Sequence, residues 1–203
     1  ERSGIFNFTV GSRNNLFYSR RIGIDADGNS IPILGGARLT GRAGDWDIGL
    51  ISMQTQSTED FKSNNYSVFR VKKRIINDYS DAGFLLTNNI DVDGQYNTVY
   101  GFDTNIRVFK DDFFSAKFAQ SFSSDAANKV LSADPSVFWL SMSSRPRKGF
   151  NYGFSISRLG EDFESKIGFL ERDNYVRMGS RLQYFWFPDA NSTILRHGPS
   201  VRG

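Results

Sequence analysis

Three acidic residues that lie close together are the first candidates for chemistry. Glu161, Asp162 and Glu164 fall within four consecutive positions, and glycoside hydrolysis requires a pair of carboxyl groups at a suitable separation. Acid–base catalysis needs its catalytic groups within hydrogen-bonding reach of the substrate. The sequence contains no second carboxylate motif that would supply a partner for this cluster. A solvated acidic loop is the simpler interpretation, so we expect no catalytic residues. An envelope hydrolase that uses the Glu161 loop stays open as an alternative.

A second candidate is a calcium site. Asp25, Asp27 and Asn29 place oxygen side chains at alternate positions, as the first half of a calcium-binding loop does. The bidentate glutamate expected at the last position of such a loop is missing, because Gly36 stands there. Aspartate and glycine are also the ordinary residues of turns. These three residues are therefore an incomplete calcium candidate, and we expect neither a metal nor another cofactor.

The rest of the composition narrows the possible classes of site. His197 is the only histidine and has no serine or cysteine partner pattern, so a catalytic triad is not expected. Cysteine is absent, which leaves no disulfide framework and no thiolate metal site. The net charge is +3 and the basic residues are scattered. Without a basic stripe among stacking aromatics, nucleic acid is not an expected partner.

The elements that must position these residues are β-strands. In residues 98–109, apolar side chains such as Phe102 and Ile106 alternate with polar ones such as Asp103. Successive side chains of a strand point to opposite faces, so this pattern predicts one apolar and one polar face. Nine stretches alternate in this way: 37–43, 45–54, 66–75, 80–87, 96–109, 113–122, 136–144, 150–158 and 175–187. Helical periodicity is weak, and the best helix candidate is residues 125–131.

The connections between these strands alternate in length. Short turns are expected at Gly44 and at residues 77–79, 110–112, 145–148 and 188–191. Longer loops are expected at residues 55–65, 88–95, 123–135 and 159–174. Short turns at one end and long loops at the other are typical of outer-membrane β-barrels. A soluble up-and-down barrel can share this plan, although less regularly.

The polar faces of the strands supply the candidate lumen residues. A charge that faces lipid costs about 2–4 kcal/mol at the bilayer midplane, so the charged face of a barrel must line the lumen. The lumen-facing candidates are Arg38, Arg42, Asp103, Asn105, Arg107, Lys117, Arg177 and Arg181. Their mixed signs favour paired charges over a filter of one sign.

One strand breaks the alternation. In residues 66–75, Tyr66 and Val68 share one face, whereas Phe69 and Val71 share the other. An extra residue in a β-bulge shifts the phase of a strand by one position. We therefore expect a bulge near Phe69.

Aromatic residues are abundant and cluster near the short turns. The chain has 19 Phe, 8 Tyr and 3 Trp, and no apolar run approaches the about 18 residues of a transmembrane helix. Aromatic girdles mark the interfaces of transmembrane barrels. The girdle candidates are Trp46, Tyr79, Phe109, Phe113, Tyr184 and Trp186. Aromatic residues also favour strand ends in other sheets, which is the alternative explanation.

Residues 1–36 are expected to be a lead-in, a plug or an extra hairpin that turns near residues 13–15, and residues 37–203 to be barrel strands. The sequence begins with Glu1 and an apolar signal-peptide core does not follow. It also stops within an apparent final hairpin near Thr193. We therefore expect the chain to be a fragment of a longer polypeptide that is incomplete at its C-terminus.

Several motifs resemble a known family. They are LFYSRRIG at 16–23, GNSIPILGGARLTG at 28–41, IGL at 48–50, QT at 54–55, GEDF at 160–163 and IGF at 167–169, with Arg172. In this order they resemble the DUF5916 family of Bacteroidetes envelope proteins, over most of residues 3–173. The family commonly has a proline after the GEDF motif, where this chain has Glu164-Ser165. The resemblance implies an outer-membrane barrel that usually follows a family 9-like carbohydrate-binding domain, which is absent here.

Together these patterns predict an all-β, antiparallel up-and-down meander of about nine to ten strands that forms part of a transmembrane β-barrel. The expected location is the bacterial outer membrane, and the expected role is non-enzymatic, either transport or a surface scaffold. Expected partners are membrane lipid or lipopolysaccharide and other envelope proteins, with carbohydrate bound only through the absent domain. The alternatives are a soluble all-β carbohydrate-binding module and a protein associated with an envelope glycoside hydrolase.

Overall fold

Antiparallel strands form almost all the regular structure in the computed structural model of the chain. The structure describes residues 3–11, 14–24, 28–59, 61–144, 146, 148–188, 193 and 195–203. The N-terminal part contains two 3₁₀ turns, Ser3–Phe6 and Ser19–Arg21, and a hairpin of β1 (Thr9–Val10) and β2 (Asn14–Asn15). None of the helical turns in the described ranges has the length and apolar character needed to cross a membrane.

Ten further strands form one sheet in which each strand pairs with its neighbours in sequence. They are β3 (Ile33–Ala43), β4 (Trp46–Thr55), β5 (Asn64–Arg74), β6 (Asp81–Asp91), β7 (Tyr96–Arg107), β8 (Asp112–Ser123), β9 (Ser136–Ser144), β10 (Gly149–Leu159), β11 (Tyr175–Phe185) and β12 (Ser200–Arg202). All pairs are antiparallel. Within the described residues β3 and β12 do not pair, so the sheet is open with these two strands as its edges.

The predicted all-β meander and its nine strands are confirmed. Residues 125–131, the best helix candidate within the loop predicted at 123–135, consist of turns and irregular backbone. The side chain of Asn128 accepts a hydrogen bond from the amide of Ser123 at 3.1 Å and donates one to its carbonyl oxygen at 2.9 Å. A local side-chain bond of this kind competes with helix formation. The tenth strand, for which no bounds were predicted, is the short β12 that pairs with β11.

The connections follow the predicted alternation at most positions. Gly44 has φ +57° and, with Asp45, makes a two-residue hairpin between β3 and β4, where glycine adopts the required left-handed backbone without strain. The long loop predicted at residues 88–95 is wrong, because β6 continues to Asp91 and leaves only four residues before β7 begins at Tyr96. The turns expected at 13–15, 145–148 and 188–191 lie partly outside the described residues, since 13, 145, 147 and 189–191 are not described.

The two faces of the sheet have different neighbours. We call the face that packs against residues 3–11 and 14–22 the inner face and the opposite one the outer face. In the N-terminal segment, defined as these two described ranges, Phe8, Val10 and Leu16 are completely buried. They join inner-face side chains that are also buried: Ile51, Tyr66, Val68, Leu85, Val99, Ala119, Val137 and Leu159. Removing this apolar surface from water is the main stabilising contribution to the core.

Backbone hydrogen bonds attach the N-terminal segment to the loop between β10 and β11. The amide of Asn15 donates a hydrogen bond to the carbonyl oxygen of Phe169 at 2.8 Å. The amide of Tyr18 donates one to the carbonyl oxygen of Ile167 at 2.9 Å. The hairpin of β1 and β2 forms a sheet of its own and adds no strand to the ten-stranded sheet. The segment therefore lies across the inner face as a separate layer.

The bulge expected near Phe69 is wrong. Pairing of β5 with both β4 and β6 continues without a register shift through this residue. Tyr66 and Val68 point to the inner face, where the N-terminal segment buries them, and Phe69 and Val71 point to the outer face. Both faces of β5 are apolar in this region because the inner face also carries a core.

Candidate functional site on the inner face

The cross-strand register places every predicted lumen residue on one face. Asp103 pairs directly with Lys117 across β7 and β8, and Asn105 pairs with Ser115. Following the direct partners from strand to strand puts the full set on the inner face: Arg38, Arg42, Asp103, Asn105, Arg107, Lys117, Arg177 and Arg181. The strands β3 to β11 carry thirteen charged residues on the inner face and three on the outer face.

A buried ion pair lies at the centre of this face. The side chain of Arg70 is fully buried, and its Nη1 and Nη2 donate to Oδ1 and Oδ2 of Asp103 at 2.6 and 2.8 Å. Lys72 pairs with Asp81 at 2.7 Å and lies 3.9 Å from Asp103. Lys117 is the direct cross-strand partner of Asp103. A bidentate arginine–carboxylate pair is both strong and directional, so it fixes the relative positions of β5 and β7.

This cluster also holds the N-terminal segment. Arg70 Nε donates to the carbonyl oxygen of Ile5 at 3.1 Å, and Lys117 Nζ donates to that of Thr9 at 2.7 Å. Both cations lie near the ring of Phe8, at 5.5 Å for the Arg70 guanidinium and 5.8 Å for the Lys117 ammonium. Cation–π attraction of this kind strengthens when the groups are removed from water. The segment is thus fixed to the sheet by charge as well as by apolar packing.

Sequence reasoning missed Arg70, Lys72 and Arg74. The expected bulge near Phe69 obscured which face they occupy, although they alternate with Phe69, Val71 and Lys73 along β5. A period of two counted from Tyr66, without a bulge, places Arg70, Lys72 and Arg74 on the inner face.

Three other lumen candidates, Arg38, Arg42 and Arg107, have local partners. Arg42 makes two hydrogen bonds to Asp47, its cross-strand partner, at 2.5 and 2.9 Å. Arg38 lies 5.6 Å from the ring centre of Phe6. Arg107 lies over the ring of Tyr79 at 4.3 Å, next to a strand turn. These residues belong to paired contacts near the N-terminal segment or the turns rather than to one shared centre.

The second half of the inner face is built from serine and arginine. A cavity of about 560 Å³ lies along β8 to β12. Its polar lining includes Ser141, Ser143, Ser155, Ser157, Arg181 and Arg202. The strands β9 to β12 contain no aspartate or glutamate. The described residues that line this cavity likewise include no carboxylate.

The girdle candidates occupy several environments. Trp46 and Tyr184 lie on the outer face, and Lys73 lies 4.8 Å from the ring centre of Trp46. Trp186 follows Tyr184 at a ring distance of 4.6 Å. Tyr79 and Phe109 lie in turns and are well exposed. Phe113 pairs with Arg107 and Ser143, which places it on the inner face, unlike its neighbour Phe114.

The acidic loop is held largely through its backbone. The amide of Asp162 donates to the carbonyl oxygen of Asp134 at 3.1 Å, and the amide of Glu164 donates to Ser121 Oγ at 3.2 Å. The carboxylate of Glu161 accepts a hydrogen bond from Asn174 at 3.4 Å. These contacts position the loop at the end of the sheet that carries the long connections.

The calcium candidate falls mainly outside the described residues, because Asp25 and Asp27 are not described while Asn29 is. Across the described ranges, no group of three or more histidine or acidic side chains is arranged to hold a metal ion. The Asp91–Gly94 segment, which repeats the Asp-x-Asp-Gly order of residues 25–28, forms a turn. In it, Asp91 Oδ1 accepts hydrogen bonds from the backbone amides of Asp93 and Gln95, both at 2.9 Å. Asp93 pairs with Lys62, and that hydrogen bond raises the pKa of Lys62 above its ordinary value.

Comparisons with known proteins identify no relative: no family model, curated protein or solved structure matches the chain. The resemblance to the DUF5916 family stays a prediction.

Proposed function

We propose that the sheet is part of a bacterial outer-membrane β-barrel, with the outer face in lipid and the inner face lining a polar interior. The partition of charge is the observation that carries this proposal. Of the charged residues in β3 to β11, only Lys73, Asp112 and Arg158 lie on the outer face, each within two residues of a strand end. A charge near the interface costs far less than one at the midplane.

The exposed apolar surface of the outer face agrees with a lipid environment. Leu39, Phe102 and Met178 are 64%, 52% and 73% exposed, and they belong to three different strands. Their neighbours on this face include Phe69, Phe154, Val176 and Leu182, which are also exposed. Soluble proteins rarely leave a continuous apolar patch of this extent in contact with water. In a membrane the same surface contacts acyl chains.

Strand length is consistent with a membrane span. The strands β3 to β11 contain 9 to 12 residues each, and a tilted transmembrane strand needs about 9–11. Backbone groups at an unpaired edge are costly in lipid. The proposal therefore requires that the free edges of β3 and β12 be paired in the membrane.

The N-terminal segment suggests a role for the interior. It covers the apolar part of the inner face and is fixed by Arg70 and Lys117. A layer held in this way acts as a built-in plug that narrows any passage along this half of the sheet. We therefore favour a non-enzymatic role, either as a surface scaffold or as a restricted pore for small polar solutes.

A row of rings on the outer face favours a second candidate function, carbohydrate binding. Phe150, Tyr152 and Phe154 follow one another along β10 at ring distances of 6.0 and 5.9 Å. In a soluble protein, such a row would be a platform on which sugar rings could stack.

Refolding from urea tests the two functions against each other. The chain is diluted into buffer, into detergent micelles or into lipid vesicles, and far-UV circular dichroism and light scattering are recorded. The proposal predicts β-structure in micelles and vesicles and aggregation in buffer. A folded, monodisperse protein in detergent-free buffer would overturn it, and sugar-array binding by that species would favour the carbohydrate-binding function.

A further inference from the structure

We infer that Arg181 and Arg202 form a binding site for an oxyanion, such as a carboxylate, sulfate or phosphate group, in the serine-lined cavity of the inner face. The cavity has a volume of about 560 Å³, enough for an anion or a small hydroxylated molecule that carries one. This inference does not depend on whether the sheet spans a membrane.

The first observation is the position of the two guanidinium groups. Arg181 on β11 and Arg202 on β12 are direct cross-strand partners on the same face. Two like charges placed directly opposite each other destabilise a sheet. The strands β9 to β12 contain no acidic residue that could compensate them. A bound anion between the two arginines would remove this repulsion.

The second observation concerns one atom of Arg181. The side chain is half-buried, but its Nε atom is buried and makes no hydrogen bond within the described part of the chain. The fully buried guanidinium of Arg70, on the same face, is by contrast paired with Asp103. A buried polar group without a partner is unusual and calls for an explanation, and an oxyanion that accepts from the guanidinium fork provides one.

The third observation is the space around these arginines. Gly153 lies directly opposite Arg181 on β10, and a Cβ atom added there would lie 4.0 Å from Arg181 Nη2. The next cross-strand partner of Gly153 is Ser143, and Ser141 pairs with Ser155. These small residues keep the cavity open in front of the guanidinium. Their hydroxyl groups can donate to an anion and can both donate to and accept from hydroxyls of an attached sugar.

Isothermal titration of the folded chain with sodium sulfate, with glucuronate and with neutral glucose tests the inference. We expect sulfate or glucuronate to bind and glucose not to bind. If sulfate binds, a free oxyanion is a sufficient ligand. If glucuronate binds more tightly than sulfate, the preferred ligand is a sugar that carries a carboxylate. Either result supports the site. Loss of charge-assisted hydrogen bonds should weaken binding about tenfold or more in Arg181→Gln and in Arg202→Gln.

Two controls separate a site from general charge effects. Arg42→Gln removes one positive charge from the same face at a distant, paired position and should leave the affinity unchanged. Gly153→Leu keeps both arginines but fills the cavity, and it should abolish binding while circular dichroism shows an unchanged fold. Equal affinities for the wild type and Arg181→Gln, or equal weakening by Arg42→Gln, would overturn the inference. Binding of glucose as tight as that of glucuronate would also overturn it.

Discussion

Removing the carboxylate that faces Arg70 should be one of the most damaging single changes in this chain. In Asp103→Asn, the fully buried guanidinium loses its only bidentate partner among the described residues, and the Asp103 side chain is itself 9% exposed. Breaking a buried ion pair by removing one member costs about 3–5 kcal/mol. Because asparagine keeps one acceptor oxygen, we expect the lower end, about 3 kcal/mol of unfolding free energy.

Urea-induced unfolding of the folded chain measures this loss. The same variant should release the N-terminal segment, since Arg70 also holds the carbonyl oxygen of Ile5. Hydrogen exchange at the amide of Leu16, which donates to the carbonyl oxygen of Phe8 at 3.1 Å, reports that release. We expect faster exchange there in Asp103→Asn.

Asp47→Asn is the matched control. It removes the same charge from the same face, but its partner Arg42 is exposed, and exposed pairs contribute little to stability. If Asp103→Asn and Asp47→Asn unfold at the same urea concentration, the idea that a buried ion pair holds the plug is refuted. A double variant, Arg70→Met with Asp103→Leu, should recover part of the loss, because an apolar pair leaves no buried charge.

Three further changes, one of them with a matched control, test other parts of the structure. Phe8→Ala should lower the unfolding free energy by about 3–5 kcal/mol in urea titrations, because this fully buried ring leaves a large cavity. Gly83→Ala should cost about 1–3 kcal/mol in the same assay, since the new Cβ would lie 2.7 Å from Arg70 Nη1. Phe102→Lys should cost about 2–4 kcal/mol when folding is measured in vesicles, whereas Phe109→Lys, in a turn, should cost about 0–1 kcal/mol.

The strands and their faces could be predicted from sequence because side-chain alternation is local. The alternation around Asp103 placed this residue and Asn105 on the polar face of β7, where the structure has them. The C-terminal extension of β6 was missed because Asn88 and Asn89 suggested a loop, although both pair within the sheet. Asparagine is common in turns, but here Asn89 is buried and donates to Asn64.

The layer formed by the N-terminal segment could not be predicted in the same way. Phe8 contacts side chains from strands that are about 60 to 110 residues distant in sequence, such as Arg70 and Lys117. No local pattern encodes such contacts, and the segment was left open between a lead-in, a plug and a hairpin. The arginine pair also escaped notice, because the three-residue β12 that brings Arg202 opposite Arg181 has no recognisable alternation.

The most direct test of a lipid-facing outer surface is fluorescence quenching by brominated lipids. The three native tryptophans, Trp46, Trp139 and Trp186, are replaced by phenylalanine, and a single tryptophan is introduced at Phe102, in the middle of the outer face. The control variant keeps only Trp139, which lies on the inner face. After refolding into vesicles, bromine on the acyl chains should quench the tryptophan at position 102 strongly and Trp139 weakly. Equal quenching at the two positions, or none at position 102, would contradict the assignment of the outer face to lipid.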